Sequence, residues 1–493
     1  MVLESRNGGV RRGKKDPRSR VHHRRRFGRT HDVDRRPQMY GVHHPNYENR
    51  SGRGQVMSSL HEQLHRRGAV FGSSVNGWER PQFFRNRPAE DPTTLYQPET
   101  LSFDAHQCEW TTYAEREAYA CRNGVALFDM SSFGKLIVSG KDAEAALNWC
   151  TSSHVPQCGT VQYTQCLNRR GGVESDVTVL RDPFRRDSRD SFYVVTPSST
   201  VLRDAEHLLR ASHEAKIRDF RVRNVTRDYA VLAVAGPEAA RVVANLLVGS
   251  DREAMETNTF AFGSVRALDF RTRVNGVSAA KIAALRVSYA GEWGIELHTE
   301  RADAPALYDA LHRAAMELNC NDGVGLIDGG LRALLQSLRV EKGFVHFGHD
   351  CDPTITQLES GLGFVSASKI KDGVPFLGRE PLVEQKCGPL QQRLVSIKVD
   401  DEMPVTLWGH EGIYENGRRI GYVTSGGIGW ATNDGNAIGL GLVRSKSGVS
   451  KKFLREGSFQ VAVADARGNL HLADVALSIG PLYDPAGVRM REF

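Results

Sequence analysis

The 493-residue sequence lacks most of the signatures that mark an enzyme class at sight. No run of about 18 apolar residues occurs, so no helix is expected to cross a bilayer. No G-x-G-x-x-G follows a strand; Gly323-Val324-Gly325 comes nearest, but Asp328 stands where the third glycine belongs, which excludes the dinucleotide fingerprint. A G-x-x-x-x-G-K-[ST] phosphate loop, a G-x-S-x-G nucleophile elbow and an H-E-x-x-H zinc motif are also missing. The eight cysteines are scattered, without C-x-x-C or Cys/His zinc spacing. They read as reduced, mostly buried thiols, and no metal site is expected. Excess charge is absent from most of the chain too. The net is +7, but residues 1–40 hold 13 Lys+Arg against 4 Asp+Glu, and the remaining 453 hold 52 against 54. The near-neutral body has no electrostatic reason to bind nucleic acid, and only the basic head could attract a polyanion.

What is present falls into segments. Residues 1–38 are rich in Arg, Gly and His without apolar periodicity, a composition that predicts disorder. They carry the arginines of a mitochondrial transit peptide but also Asp16, Asp32 and Asp34, and no helical apolar face. A short helix is expected from Ser58 to about Gly72, and a linker-like run over 77–98. Strand-like runs (Lys135–Val138, Val177–Leu180, Phe192–Val195, Ala230–Val234, Ala283–Tyr289) then mingle with helix-like ones (Val201–Ala211, Pro237–Leu247, Ala304–Leu318, Leu331–Val340), an α+β pattern. Gly171-Gly172 predicts an antiparallel hairpin. After about residue 388 the helical period disappears. Short strands separated by turns such as Glu415-Asn416-Gly417 and Asn433-Asp434-Gly435 predict a small all-β domain.

Three places could carry chemistry. Asp176 follows a glycine turn and opens a β run, where it could act as a general base or counter-charge; equally, it could cap the turn. Tyr289 and the alternating stretch Ile295-Glu296-Leu297-His298 put Glu296 and His298 on one strand face. There Glu296 could accept two parallel hydrogen bonds from an amino-pyrimidine edge, or it could simply face solvent. The helix-like run from Leu331 carries Arg332, Arg339 and Glu341 on its polar faces.

These stretches carry a resemblance. Asn168–Val179, Tyr289–Glu296, Ser337–Gly343 and Gly421–Gly427 resemble the folate-binding aminomethyltransferase (glycine-cleavage T-protein) family. Gly68–Phe71, Gly77–Pro81, Phe128–Lys135, Val374–Arg379 and Pro481–Pro485 are similar to the C-terminal half of the sarcosine and dimethylglycine dehydrogenase family, the sarcosine type most. The resemblance runs in order from about Met39 to the C-terminus. It implies a multidomain ring of mixed α/β subdomains around a tetrahydrofolate funnel, with a C-terminal β-barrel. The implied organisation is a basic head (1–38), an oxidase remnant and linker (39–99), an aminomethyltransferase-like domain (100–385) and a barrel domain (388–490).

The resemblance also assigns roles. Asp176 matches the essential aspartate; Tyr289 and Glu296 match the pterin-binding pair; Tyr193 and Val195 match pocket-lining strand residues. Phe133 replaces a pocket methionine and Phe364 a tryptophan. The family's folate-contacting arginine falls at Leu335, so Arg332, one turn earlier, is its expected substitute. Gln336 and Gln357 stand where Asp and Pro are common. The implied activity is one-carbon transfer giving 5,10-methylenetetrahydrofolate from an amine-derived carbon, in the mitochondrial matrix. FAD would come only from a separate domain or a flavoprotein partner, because a basic segment of about 38 residues stands where the flavin half precedes the folate half in these dehydrogenases. Tyr40–Pro45 resembles the end of that half, and dehydrogenation is not expected of this chain. The alternative is a non-catalytic regulatory subunit, as the pyruvate dehydrogenase phosphatase regulatory subunit resembles the same family.

Overall fold

The computed structural model describes residues 47, 53–86, 102–185, 190–257, 259–269, 281–400 and 405–491. The basic head and most of 39–52 and 87–101 lie outside the described residues, and with them the readings made for 1–38 and for Tyr40–Pro45.

Two sheets face each other. The first has five antiparallel strands in the order Val161–Leu167, Val173–Arg181, Ser191–Thr196, Gly134–Ser139, Arg221–Asn224. The second has six, in the order Val265–Asp269, Lys281–Leu285, Gly294–Glu300, Tyr229–Ala235, Ala126–Asp129, Ile327–Gly329; only the last pair is parallel. Alternation sorts their side chains. Leu136, Val138, Val177, Val179, Phe192 and Val194 pack outward against the helices Ala143–Cys150 and Val201–Glu214. Leu232, Val234, Ile295 and Leu297 pack outward against Ala239–Asn245 and Ala304–Glu317. The opposite faces meet in a shared cluster in which Ile137, Tyr193 and Val195 of the first sheet touch Ala283 and Leu285 of the second. One face of each strand thus builds an outer core, and the other is left to line a cleft.

The expected C-terminal β domain is a closed six-stranded antiparallel barrel running Gln392–Val399, Ala437–Arg444, Arg418–Ile428, Gly412–Glu415, Phe459–Ala464, Leu470–Ser478. Asn416 and Gly417 both adopt positive φ, at 50° and 75°, the primed turn whose twist suits a two-residue hairpin. The barrel packs closely on the helical run Leu331–Glu341. A Cβ on Gly427 would sit 2.2 Å from the Gln336 carbonyl oxygen, so no larger residue fits there. Leu334–Leu338 within that run is a π-helical turn, a feature frequent at functional sites.

Two local readings are corrected. The helix expected over Ser58–Gly72 is only His61–Arg66, and Ala69–Val75 is a strand. Residues 78–84 of the expected linker pair with that strand antiparallel. The cause is Asn76-Gly77, with φ of 50° and 80°, a second primed hairpin turn hidden inside a Gly/Pro-rich run. Trp78, Phe83 and Phe84 are buried by this pairing, which supplies the hydrophobic drive. The strand expected over Ala283–Tyr289 ends at Leu285. All eight cysteines are free thiols, Cys158 and Cys387 exposed and the other six buried.

Candidate functional site

Asp176 projects from the strand Val173–Arg181 on the face turned toward the second sheet. Gln165 lies directly across the hairpin, and its Nε2 donates to Asp176 Oδ1 at 2.9 Å. The Tyr163 hydroxyl is the second donor. Gln165 is itself oriented: the Gln357 Nε2 donates to its Oε1 and to Ser152 Oγ, both at 2.7 Å. No cation pairs with Asp176 among the described residues. Burial therefore dominates, raising its pKa to about 6, and the Gln165 and Tyr163 hydrogen bonds only partly offset it. Some surface of Asp176 remains open, so a group poised to hold or release a proton near neutrality meets the cleft.

Tyr289 and Glu296 line a pocket with Phe128, Met130, Ser288 and Leu334. The Tyr289 hydroxyl donates to the Val345 carbonyl at 3.0 Å, and the ring stacks on Phe344 at 6.1 Å between centroids and 13° between planes. That contact holds the ring as a wall of the cavity. Burial pushes the Tyr289 hydroxyl well above its usual range, and Asp176 is among the charges that reach it electrostatically. Tyr289 and Glu296 thus share one pocket, and Asp176, distant in sequence from both, lies within electrostatic reach of Tyr289.

The other expected residues sit around these three. Phe133 is partly buried and packs against two core clusters, outside the pocket lining. Tyr193 and Val195 are buried behind the cavity rather than lining it. Arg332 is buried, its Nη1 donating to Gln336 Oε1 at 3.0 Å and its guanidinium lying 5.0 Å from the Trp110 ring; it too stands outside the cavity lining. Phe364 is 71% exposed and is not part of that lining.

Gln165 and Lys135 escaped the sequence reading, and Gln357 entered it only as a departure from the pattern of the family the chain resembles. Gln165 and Gln357 hold Asp176, and Lys135 is fully buried among the cleft-facing side chains. The Lys135 Nζ donates to the Ser131 carbonyl at 2.8 Å; burial lowers its pKa to about 7, opposed by Asp129, Asp228 and Glu296. The signal for Lys135 was its place two residues before Ile137 on an apolar strand.

Residues 60–369 match the GCVT N-terminal domain, and residues 392–484 match the glycine cleavage T-protein C-terminal barrel domain. The chain is 31% identical over 482 residues to mitochondrial sarcosine dehydrogenase of Mus musculus, covering 92% of this chain and 49% of the relative. It is 30% identical over 332 residues to an aminomethyltransferase of Alkaliphilus metalliredigens, covering 67% of this chain and 81% of the relative. The crystal structure of glycine cleavage system aminomethyltransferase T from Bartonella henselae superposes with a TM-score of 0.64 at 22% identity, over 89% of this chain and 99% of that one. The chain spans about half the length of the sarcosine dehydrogenases it matches. With both characteristic domains matched in order, the chain belongs to the glycine-cleavage T-protein (aminomethyltransferase) family.

Proposed function

We propose that the chain binds tetrahydrofolate in the cleft between the two sheets and transfers an amine-derived one-carbon unit to it, giving 5,10-methylenetetrahydrofolate. The observation that carries this reading is the Asp176 carboxyl, unpaired by any cation among the described residues and with a pKa of about 6, within electrostatic reach of Tyr289, which walls a pocket together with Glu296. The donor set suits a pterin. The Tyr289 ring offers a flat apolar wall, and Glu296 offers carboxylate oxygens to ring N–H and amino donors. Tetrahydrofolate would supply the nitrogen nucleophile. Asp176, steadied by Gln165 and Tyr163, would take up or return the proton displaced at that nitrogen. Walls from both sheets would hold carbon and nitrogen together and exclude water, a proximity effect.

Arg332, buried against Trp110, and the exposed Phe364 would act at the funnel rim or through neighbours rather than on the pterin itself. The iminium or formaldehyde-level carbon would come from a flavin-dependent oxidation, in a flavoprotein partner or another segment, and the setting would be mitochondrial, as the names of several relatives suggest. The test is calorimetric titration of the full chain with tetrahydrofolate, followed by methylenetetrahydrofolate formation from formaldehyde. Saturable binding and a product signal support the proposal. A folded chain with no detectable binding would sink it in favour of a regulatory role.

A further inference from the structure

Glu296 and His298 leave the strand Gly294–Glu300 on the same face, two residues apart. His298 is fully buried, whereas the Glu296 side chain keeps 14% of its surface open. His298 Nε2 lies 3.2 Å from Glu296 Oε2, and His298 Nδ1 lies 3.2 Å from the Tyr193 hydroxyl. These contacts fix a direction. A carboxylate only accepts hydrogen bonds, so Nε2 carries the ring proton; Nδ1 is then a bare acceptor and takes the Tyr193 O–H. Burial, the largest influence, lowers the pKa of His298 and Lys135 adds to it, against the pull of Glu296. Burial also raises the Tyr193 phenol far above its ordinary range, so it keeps its proton as the outer donor. Tyr193 has the Phe184 and Tyr229 rings edge-on at 5.7 Å and 6.0 Å, which clamp it in place.

We propose that His298, backed by Tyr193, is a positioning residue that fixes the Glu296 carboxylate, occupying one lobe of Oε2 and leaving Oε1 with the second lobe of Oε2 for the ligand. The remaining acceptors lie side by side in the carboxylate plane. They suit a flat heterocycle that presents an amino group beside a ring N–H, and they reject one that presents an acceptor there, because that would leave buried polar groups facing each other unpaired. The inference rests on the folate reading above and deepens it by naming the ligand edge that Glu296 selects. Buried Tyr193 gains a role as well, acting through His298 rather than by touching the ligand.

The experiment compares wild type, His298→Leu, His298→Gln and Tyr193→Phe as full-length chains, with thermal melts to show folding. Tetrahydrofolate Kd is measured by calorimetry, together with kcat and KM for transfer from formaldehyde. His298→Leu should weaken tetrahydrofolate binding about 10- to 100-fold, the range for loss of a hydrogen bond to a charged group. His298→Gln, whose amide N–H reaches the place of Nε2–H, should recover affinity to within roughly threefold of wild type. The loss should appear mainly in KM and less in kcat. A folate analogue lacking the 2-amino group keeps the ring N–H contact, so His298→Leu should weaken its binding by a smaller factor than it weakens tetrahydrofolate, and an equal or larger factor would overturn the proposal. Unchanged tetrahydrofolate affinity in folded His298→Leu, or no recovery in folded His298→Gln, overturns the proposal. Should His298→Leu not fold, Tyr193→Phe decides, and unchanged affinity there overturns it as well. A wild-type chain that does not bind tetrahydrofolate overturns the folate reading itself, and this inference with it.

Discussion

Two aspartates of the interior, Asp176 and Asp350, both reach the surroundings of the Tyr289 ring and are held in opposite ways. Burial works against the charge of both. At Asp350, Arg339 Nη1 donates at 2.6 Å, Ser425 Oγ at 2.7 Å and the His346 N–H at 2.8 Å, with Thr424 Oγ1 beside them. Together these outweigh burial, and the pKa is lowered. At Asp176 the donors are one amide and one phenol, and the pKa is raised to about 6. Asp350 uses its charge to join the barrel residues Thr424 and Ser425 to the loop whose Val345 carbonyl holds Tyr289. Asp176 has no such tie. A buried carboxyl with a full set of charged and polar donors is a fastener; one left short of donors is available for proton transfer.

Substitutions can break this contrast. The largest expected effect is on transfer: Asp176→Ala should lower methylenetetrahydrofolate formation about 10²- to 10⁴-fold, the usual share of a general acid–base group. Retention of more than about a tenth of the wild-type rate would remove Asp176 from the chemistry. Next, Asp350→Asn strips Arg339 of its buried partner and should cost about 3–5 kcal/mol of stability, read from urea unfolding midpoints.

Asp176→Asn should have the opposite sign, stabilising the fold by about 1–3 kcal/mol at pH 7 while suppressing transfer. The pH dependence follows from the raised pKa. A carboxyl that holds its proton more tightly when folded penalises the fold above its unfolded pKa of 3.8, and the penalty is complete above about 6. The gain from Asn should therefore vanish below about pH 4 and plateau above about pH 6. A gain that grew as the pH fell would contradict the assigned environment. The smallest effect sharpens the contrast: Gln357→Ala should slow transfer only a few-fold, since it frees Gln165 to rotate but leaves the Gln165–Asp176 contact possible. Its transfer-rate pH profile should shift upward, because a loosened Gln165 stabilises the Asp176 carboxylate less.

The local periodicities already mark which residues face a core and which face away. Alternation separated Val177 and Val179 from Asp176, and Ile295 and Leu297 from Glu296 and His298, because a strand's side chains change face at every residue. Turn chemistry marked Gly171-Gly172 and Asn416-Gly417. It missed Asn76-Gly77, where neighbouring prolines made a hairpin look like a linker. The partner of Asp176 was out of reach. Counting back from the turn, where Leu167 pairs with Val173, puts Thr164 opposite Asp176. A bulge between Cys166 and Leu167 shifts the register by one residue and brings Gln165 there instead.

Short-range patterns of residues account for the α+β alternation, the terminal β domain and the three acidic or aromatic positions that stand out, since each depends on residues a few places apart. Which of them come together in space, and in what state of charge, follows from the folded chain. A carboxyl's pKa and a histidine's hydrogen bonds depend on what the folded chain brings against them from far along its length: Gln357 behind Gln165, and Tyr193 against His298 across two sheets. Those contacts are non-local, so no window of sequence contains them.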